Sequence, residues 1–174
     1  MPTRLVTKSK YPQYNPLNFT DGVHLKVCQT TLSAQPKLAG IKHLNRLENI
    51  MARMEWQNDT AFDGILLDGN GDVIECTMSN IFARFGSKLI TPNLTQCGVA
   101  GITRQQILSL ASALNLEVAV DFLPLSKLLS ADEIIICNSL YGAFQVTKIT
   151  HDELTKSWQS QNLANTIRAQ LNHD

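Results

Sequence analysis

The chain has 174 residues, 15 Lys+Arg against 15 Asp+Glu, and a formal net charge of zero. That length fits one domain with a sizeable core, and the charge balance excludes a nucleic-acid or other polyanion surface as its main business. No apolar run reaches membrane-spanning length and the opening "MPTRLVTKSK" lacks the apolar core of a secretory signal, so a cytoplasmic protein without a membrane partner is expected.

Residues 1–20 read as an irregular segment, because Pro12 and Pro16 discourage regular structure. "VHLKVCQ" alternates Val23, Leu25 and Val27 against His24 and Lys26 and predicts a strand. A helix is expected from His43 to Met54, with Leu44, Leu47, Met51 and Met54 as its buried stripe. Residues 63–92 read as a strand meander turning at Asp68–Gly71 and at Phe85–Gly86–Ser87. "GITRQQILSLASALNL" predicts a second helix, with Ile102, Gln106, Leu110 and Leu114 on one line. A strand in "EVAVDFLP", a short helix in "LSKLLSA", a buried strand in "DEIIICNS" and a strand in "FQVTKI" follow, and residues 152–171 close the chain as a helix. Helices and strands mix without a regular βαβ rhythm, so the expected class is a mixed α/β domain, a pseudo-barrel of largely antiparallel strands with flanking helices.

Cys28, Cys76, Cys97 and Cys137 show no metal-type spacing and read as reduced thiols in or near the core. Four other places could hold chemistry. Lys42 follows the apolar run Leu38–Ile41 and precedes the predicted helix. An apolar surround and a helix N-terminus both favour a neutral amine that can attack a carbonyl. Asn45, Arg46 and Asn49 share its face; a solvated polar face reads as well from this segment alone. Glu75 is a lone acid in an apolar strand, sharing a face with Val73, with Ser79 and Asn80 just downstream. It either meets water at an edge or serves a buried cation.

In "CGVAGITRQQIL", Gly98 and Gly101 frame a turn that opens into a helix with Thr103 in its first turn. Free N–H groups and the dipole suit a phosphate there, though a plain helix start explains the pattern equally. Asn138 and Ser139 end a buried strand, where active-site groups often sit and where ordinary turns also form. An amine, a lone carboxylate, a phosphate-type helix start and a polar strand end are together what pyridoxal 5′-phosphate requires.

The stretches "AGIKHLNRLEN", "DGNGDVIECTMSNIF", "CGVAGITRQQIL" and "DEIIICNSLYGAFQV", in this order and spacing, resemble the fold-type IV pyridoxal-phosphate enzymes. That group includes branched-chain and D-amino-acid aminotransferases and the aminodeoxychorismate lyases, and "KHLNRLEN" is most similar to the last. The resemblance implies that Lys42 is the lysine that bonds the cofactor aldehyde and Glu75 the carboxylate facing the pyridine nitrogen. It implies that Ile102 and Thr103 hold the phosphate through backbone N–H groups and the threonine hydroxyl, with Gly101 just before them in the cofactor site and Asn138 and Ser139 on the same side. The resemblance also puts Arg46 at the position where relatives place a residue near the ring's phenolic oxygen. The family also carries a small N-terminal domain that residues 1–20 cannot replace, so residues 21–174 are expected to be the large, cofactor-binding domain alone.

The implied activity is a lyase converting 4-amino-4-deoxychorismate to 4-aminobenzoate and pyruvate in folate biosynthesis, acting as a homodimer. A branched-chain or D-amino-acid aminotransferase, and a non-catalytic isolated domain, are the competing expectations.

Overall fold

The computed structural model describes residues 3–56 and 61–171, so residues 1–2, 57–60 and 172–174 lie outside the described residues. In chain order the elements are α1 (Leu17–Thr20), β1 (Val23–Val27), α2 (Leu47–Arg53), β2 (Asp63–Leu67), β3 (Val73–Cys76), β4 (Asn80–Phe85) and β5 (Lys88–Pro92). They continue with α3 (Ile102–Leu110), β6 (Glu117–Asp121), α4 (Leu125–Leu129), β7 (Glu133–Asn138), β8 (Gly142–His151), β9 (Leu154–Ser157) and α5 (Leu163–Leu171).

The strands form one sheet in the order β3-β2-β1-β8-β7-β4-β5-β6, with β9 added to β8. Antiparallel ladders dominate, and β1 with its two neighbours and β5–β6 supply the parallel ones. The sheet curls until its ends meet. The Val73 N–H at one end donates to Leu123 O at 2.8 Å, and Asp72 bridges Pro124 just after β6. The result is the expected mixed α/β pseudo-barrel with flanking helices.

β7 shows how sequence becomes position. Its run "EIIIC" is buried on both faces: Ile134 and Ile136 point into the barrel with Leu25, Ile65, Ile81 and Phe144. Ile135 and Cys137 point outward beneath Ile107 of α3 and Ile167 of α5. A strand covered on both faces has no polar side to alternate with, which explains the continuous apolar run.

Several expectations fail for non-local reasons. The stretch 63–92 is two hairpins, β2–β3 and β4–β5, rather than one meander, because β4 pairs β7 instead of β3. The closing helix is only α5. Residues 154–157 pair the edge of β8 instead, since a sheet edge offers hydrogen bonds that a sparse apolar pattern cannot outbid in helical form. The irregular opening segment includes α1, which starts after Pro16. In α3 the buried line is Thr103, Arg104 and Ile107, while Ile102 is exposed.

The largest reversal is at α2. Its predicted stripe stays in solvent: Leu44, Leu47, Met51 and Met54 are 102 %, 64 %, 52 % and 61 % exposed. The helix instead packs through Asn49 and Ala52, with Trp56 one turn on, against a second core cluster that includes Leu66 and Ile74. All four cysteines are buried and unpaired. Among the described residues no helix is long and apolar enough to cross a membrane.

Candidate active site

At one end of the barrel a cleft of about 530 Å³ opens where β3, β4 and β7 meet the start of α3 and the segment before α2. Lys42, Arg46, Glu75, Gly101, Ile102, Thr103, Asn138 and Ser139 all line it. Residues separated by up to 97 positions thus converge on one space.

Glu75 sits on β3, but simple alternation does not aim it. β2 pairs Leu66 with Glu75 and Leu67 with Val73, leaving Ile74 as the extra residue of a bulge. Val73 and Cys76 therefore both face the barrel core, Ile74 faces the second cluster, and Glu75 turns to the cleft. The expected shared face of Val73 and Glu75 is lost. Glu75 is 3 % exposed. Its Oε1 accepts from Arg46 Nη2 at 2.9 Å and its Oε2 from Val99 N–H at 2.8 Å. Burial raises its pKa, opposed by the Val99 hydrogen bond and by the Arg46 and Lys42 charges. The Val99 contact needs Gly98 at φ +86°, where a Cβ would fall 2.8 Å from Ile74 and Leu94.

Lys42 is solvent-exposed at the cleft rim. The helix expected just behind it begins only at Leu47, after two tight turns closed by His43 N–H to Ile41 O and Arg46 N–H to Leu44 O. Lys42 therefore lies outside the first turn of α2, beyond the reach of its dipole. Arg46 and Asn49 share the cleft with Lys42, whereas Asn45 does not reach it.

The start of α3 leaves its first-turn donors open to the cleft. Gly101 is extended (φ −65°, ψ 146°) and no side chain caps the helix, so the first-turn N–H groups of Ile102 and Thr103 have no intrahelical acceptor. Asn80 fixes the approach: its Nδ2 donates to Val99 O at 2.8 Å and its Oδ1 accepts from Gly101 N–H at 3.2 Å. Thr103 and Ser139 bring their hydroxyls to 3.4 Å of each other. Asn138 lies beside them, but its amide holds the turn, donating to Met78 O and accepting from the Leu140 and Tyr141 N–H groups.

A family model described as amino-transferase class IV matches residues 3–149. The chain belongs to that family. It is 38 % identical over 151 residues to the aminodeoxychorismate lyase of Vibrio harveyi, covering 87 % of this chain and 56 % of that protein. It is 33 % identical over 143 residues to a probable branched-chain-amino-acid aminotransferase of Thermotoga maritima, covering 78 % and 50 %. The crystal structure of 4-amino-4-deoxychorismate lyase from Pseudomonas aeruginosa matches with a TM-score of 0.87 at 36 % identity, covering 95 % of this chain and 60 % of that one. The chain spans about half the length of the curated relatives it matches. The class IV fold, fold-type IV, is the one expected from the sequence.

Within this class IV site, three supporting residues escaped the sequence reading. Asp63 is fully buried and accepts from Thr77 Oγ1 at 2.6 Å and Ser79 Oγ at 2.5 Å, pinning the 77–79 loop that lines the cleft. Burial raises its pKa against those hydrogen bonds. Arg104 is buried and donates to Thr91 Oγ1 and Pro92 O, tying the first turn of α3 to β5. Asn80, which the sequence marks only by its place downstream of Glu75, fixes the approach to α3. A strand-end Asp, a helical Arg and an Asn carry no local mark of such partners, which lie 12 to 21 residues away. Cys137 also lines the cleft, but burial pushes its thiol up to about 12, so it is no nucleophile at neutral pH.

Proposed function

We propose that this chain is the cofactor-holding part of a pyridoxal-phosphate-dependent lyase that converts 4-amino-4-deoxychorismate to 4-aminobenzoate and pyruvate. One observation carries the reading: Lys42, the buried acid Glu75 and the uncapped start of α3 open into a single cleft. The residues fit the cofactor. The open N–H groups of Ile102 and Thr103 and the paired Thr103 and Ser139 hydroxyls suit its phosphate. Gly101 lets this helix start sit against Asn80, where a Cβ would collide with the Asn80 amide. Glu75 suits its pyridine nitrogen.

When bound, pyridoxal 5′-phosphate supplies an aldehyde for the substrate amine and a ring that accepts electrons from the adjacent carbon. Glu75 holds a proton at the pyridine nitrogen. Lys42 Nζ takes the proton from the carbon bearing the substrate nitrogen. Ile102, Thr103 and Ser139 keep the phosphate end fixed, so that this carbon stays within reach of Lys42. A homodimer goes with this reading, and the exposed α2 stripe is apolar surface that association would bury.

An aminotransferase uses the same cleft residues, and the 33 % identical relative from Thermotoga maritima favours it as the second reading. The test supplies the chain with pyridoxal phosphate and with 4-amino-4-deoxychorismate, or with D-alanine or a branched-chain amino acid plus 2-oxoglutarate. We expect 4-aminobenzoate and pyruvate from the protein that carries this chain, with no amino transfer. Rapid amino transfer without 4-aminobenzoate would replace the lyase by the aminotransferase. Neither product would leave a non-catalytic domain.

A further inference from the structure

We propose that Arg46 is a positioning residue that keeps Glu75 as a carboxylate in its buried seat and ties the Lys42 segment to β3. The inference rests on the reading of Glu75 and Lys42 given above, and gives Arg46 a task other than contact with the cofactor's phenolic oxygen.

The charge argument comes first. A carboxylate that is 3 % exposed takes up a proton unless a cation or several donors offset its lost hydration. The ionisable groups facing Glu75 are Arg46 and Lys42 from the segment before α2, Cys76 beside it on β3, and Cys97 on the loop leading to Val99. Burial raises both thiols, Cys97 to about 11, so they are neutral at pH 7. Of the two cations, Lys42 is the group assigned to the cofactor aldehyde. Arg46 remains, its guanidinium 2.9 Å from Oε1.

The tether is independent of charge. Residues 41–46 form no helix or strand. One end of this segment is fixed by Gly40, whose N–H donates to Gly98 O at 2.9 Å and whose O accepts from Ala100 N–H at 3.1 Å. At the other end, Glu75 is the sole side-chain partner of Arg46 among the described residues. Glu75 in turn holds Val99 through its second oxygen. Lys42 thus hangs between two anchors that both lead to the 98–100 loop. Losing Arg46 would free one of them.

The test uses the 174-residue chain without cofactor or substrate. The Glu75 side-chain carboxyl is followed by carbon NMR through a pH titration, its signal assigned by its loss in Glu75→Gln. In Arg46→Gln we expect the midpoint to rise by about one unit or more, the usual effect of removing an adjacent guanidinium. Arg46→Lys should return most of that shift. Amide exchange over residues 41–45 should quicken several-fold in Arg46→Gln while β7 amides stay as slow as before. An unmoved midpoint, or unchanged exchange in a folded Arg46→Gln, overturns the proposal. If Arg46→Gln does not fold, the double variant Arg46→Gln/Glu75→Gln decides. Recovery of the fold shows that the stranded Glu75 charge was the cause, and failure to recover overturns the idea. Both readouts are blind to turnover, so a failed lyase assay and a failed tether are separate results.

Discussion

Asn80 and Gly101 are locked together: the Asn80 amide bonds the backbone on both sides of Ala100, and a Cβ on Gly101 would fall 2.3 Å from Asn80 Oδ1. The start of α3 can take its place only because residue 101 has no side chain. Gly101→Ala must therefore push the helix start or Asn80 aside. We expect it to weaken binding of inorganic phosphate and pyridoxal phosphate roughly tenfold, the loss of about one charge-assisted hydrogen bond. Calorimetric titration checks this, and unchanged affinity for both would remove the helix start from the anion site.

Lys42 is the amine expected to react with the cofactor aldehyde. Borohydride reduction of the chain with pyridoxal phosphate should place the added mass on the peptide containing Lys42, and Lys42→Ala should abolish it. Label on Lys37 or Lys127 in its stead would sink the assignment.

On the proposed reading, Glu75→Gln should keep the fold and bind cofactor but slow turnover in the protein that carries this chain. A buried charge-assisted hydrogen bond is worth ~1.5–3 kcal/mol, or roughly one to two decades in rate if the loss falls in the transition state. Steady-state kinetics showing a near-normal kcat would mean that Glu75 serves only the architecture.

Burial raises the pKa of both Glu75 and Asp63 in the folded chain. Between their ordinary and folded values the folded state binds more protons than the unfolded one. Stability from these groups is therefore full below the ordinary carboxylate range and is lost as pH rises through the folded values. Urea unfolding across a pH series should show stability falling over that window, with a shallower fall in Glu75→Gln. A steeper or unchanged slope in the variant contradicts the sign.

The exposed α2 residues give a test of self-association. Leu47→Glu and Met51→Glu should shift sedimentation toward monomer while leaving the melting temperature of the monomer within a few degrees, because neither side chain is buried in the chain itself. A wild-type chain that is monomeric at high concentration would refute the homodimer for this length of chain.

The sequence by itself determined the fold class and supplied the residue types that line the cleft. An amine, a lone acid, glycines before a helix and a polar strand end could be picked out one by one because their chemistry lies in their own atoms, and the order of short strands and helices restricted the architecture. Only the tertiary structure decided which faces found partners. The α2 pattern offered an apolar line, yet the sheet received the smaller face of Asn49 and Ala52, because periodicity measures contrast along a helix and not what stands opposite. The β3 bulge that turns Glu75 inward comes from register with β2. Strand β9 arises because the edge of β8 was open to it. Asp63, Asn80 and Arg104 became legible only once distant carbonyls and hydroxyls stood within hydrogen-bonding reach. Each of these depends on pairing between distant segments, which no local window of sequence contains.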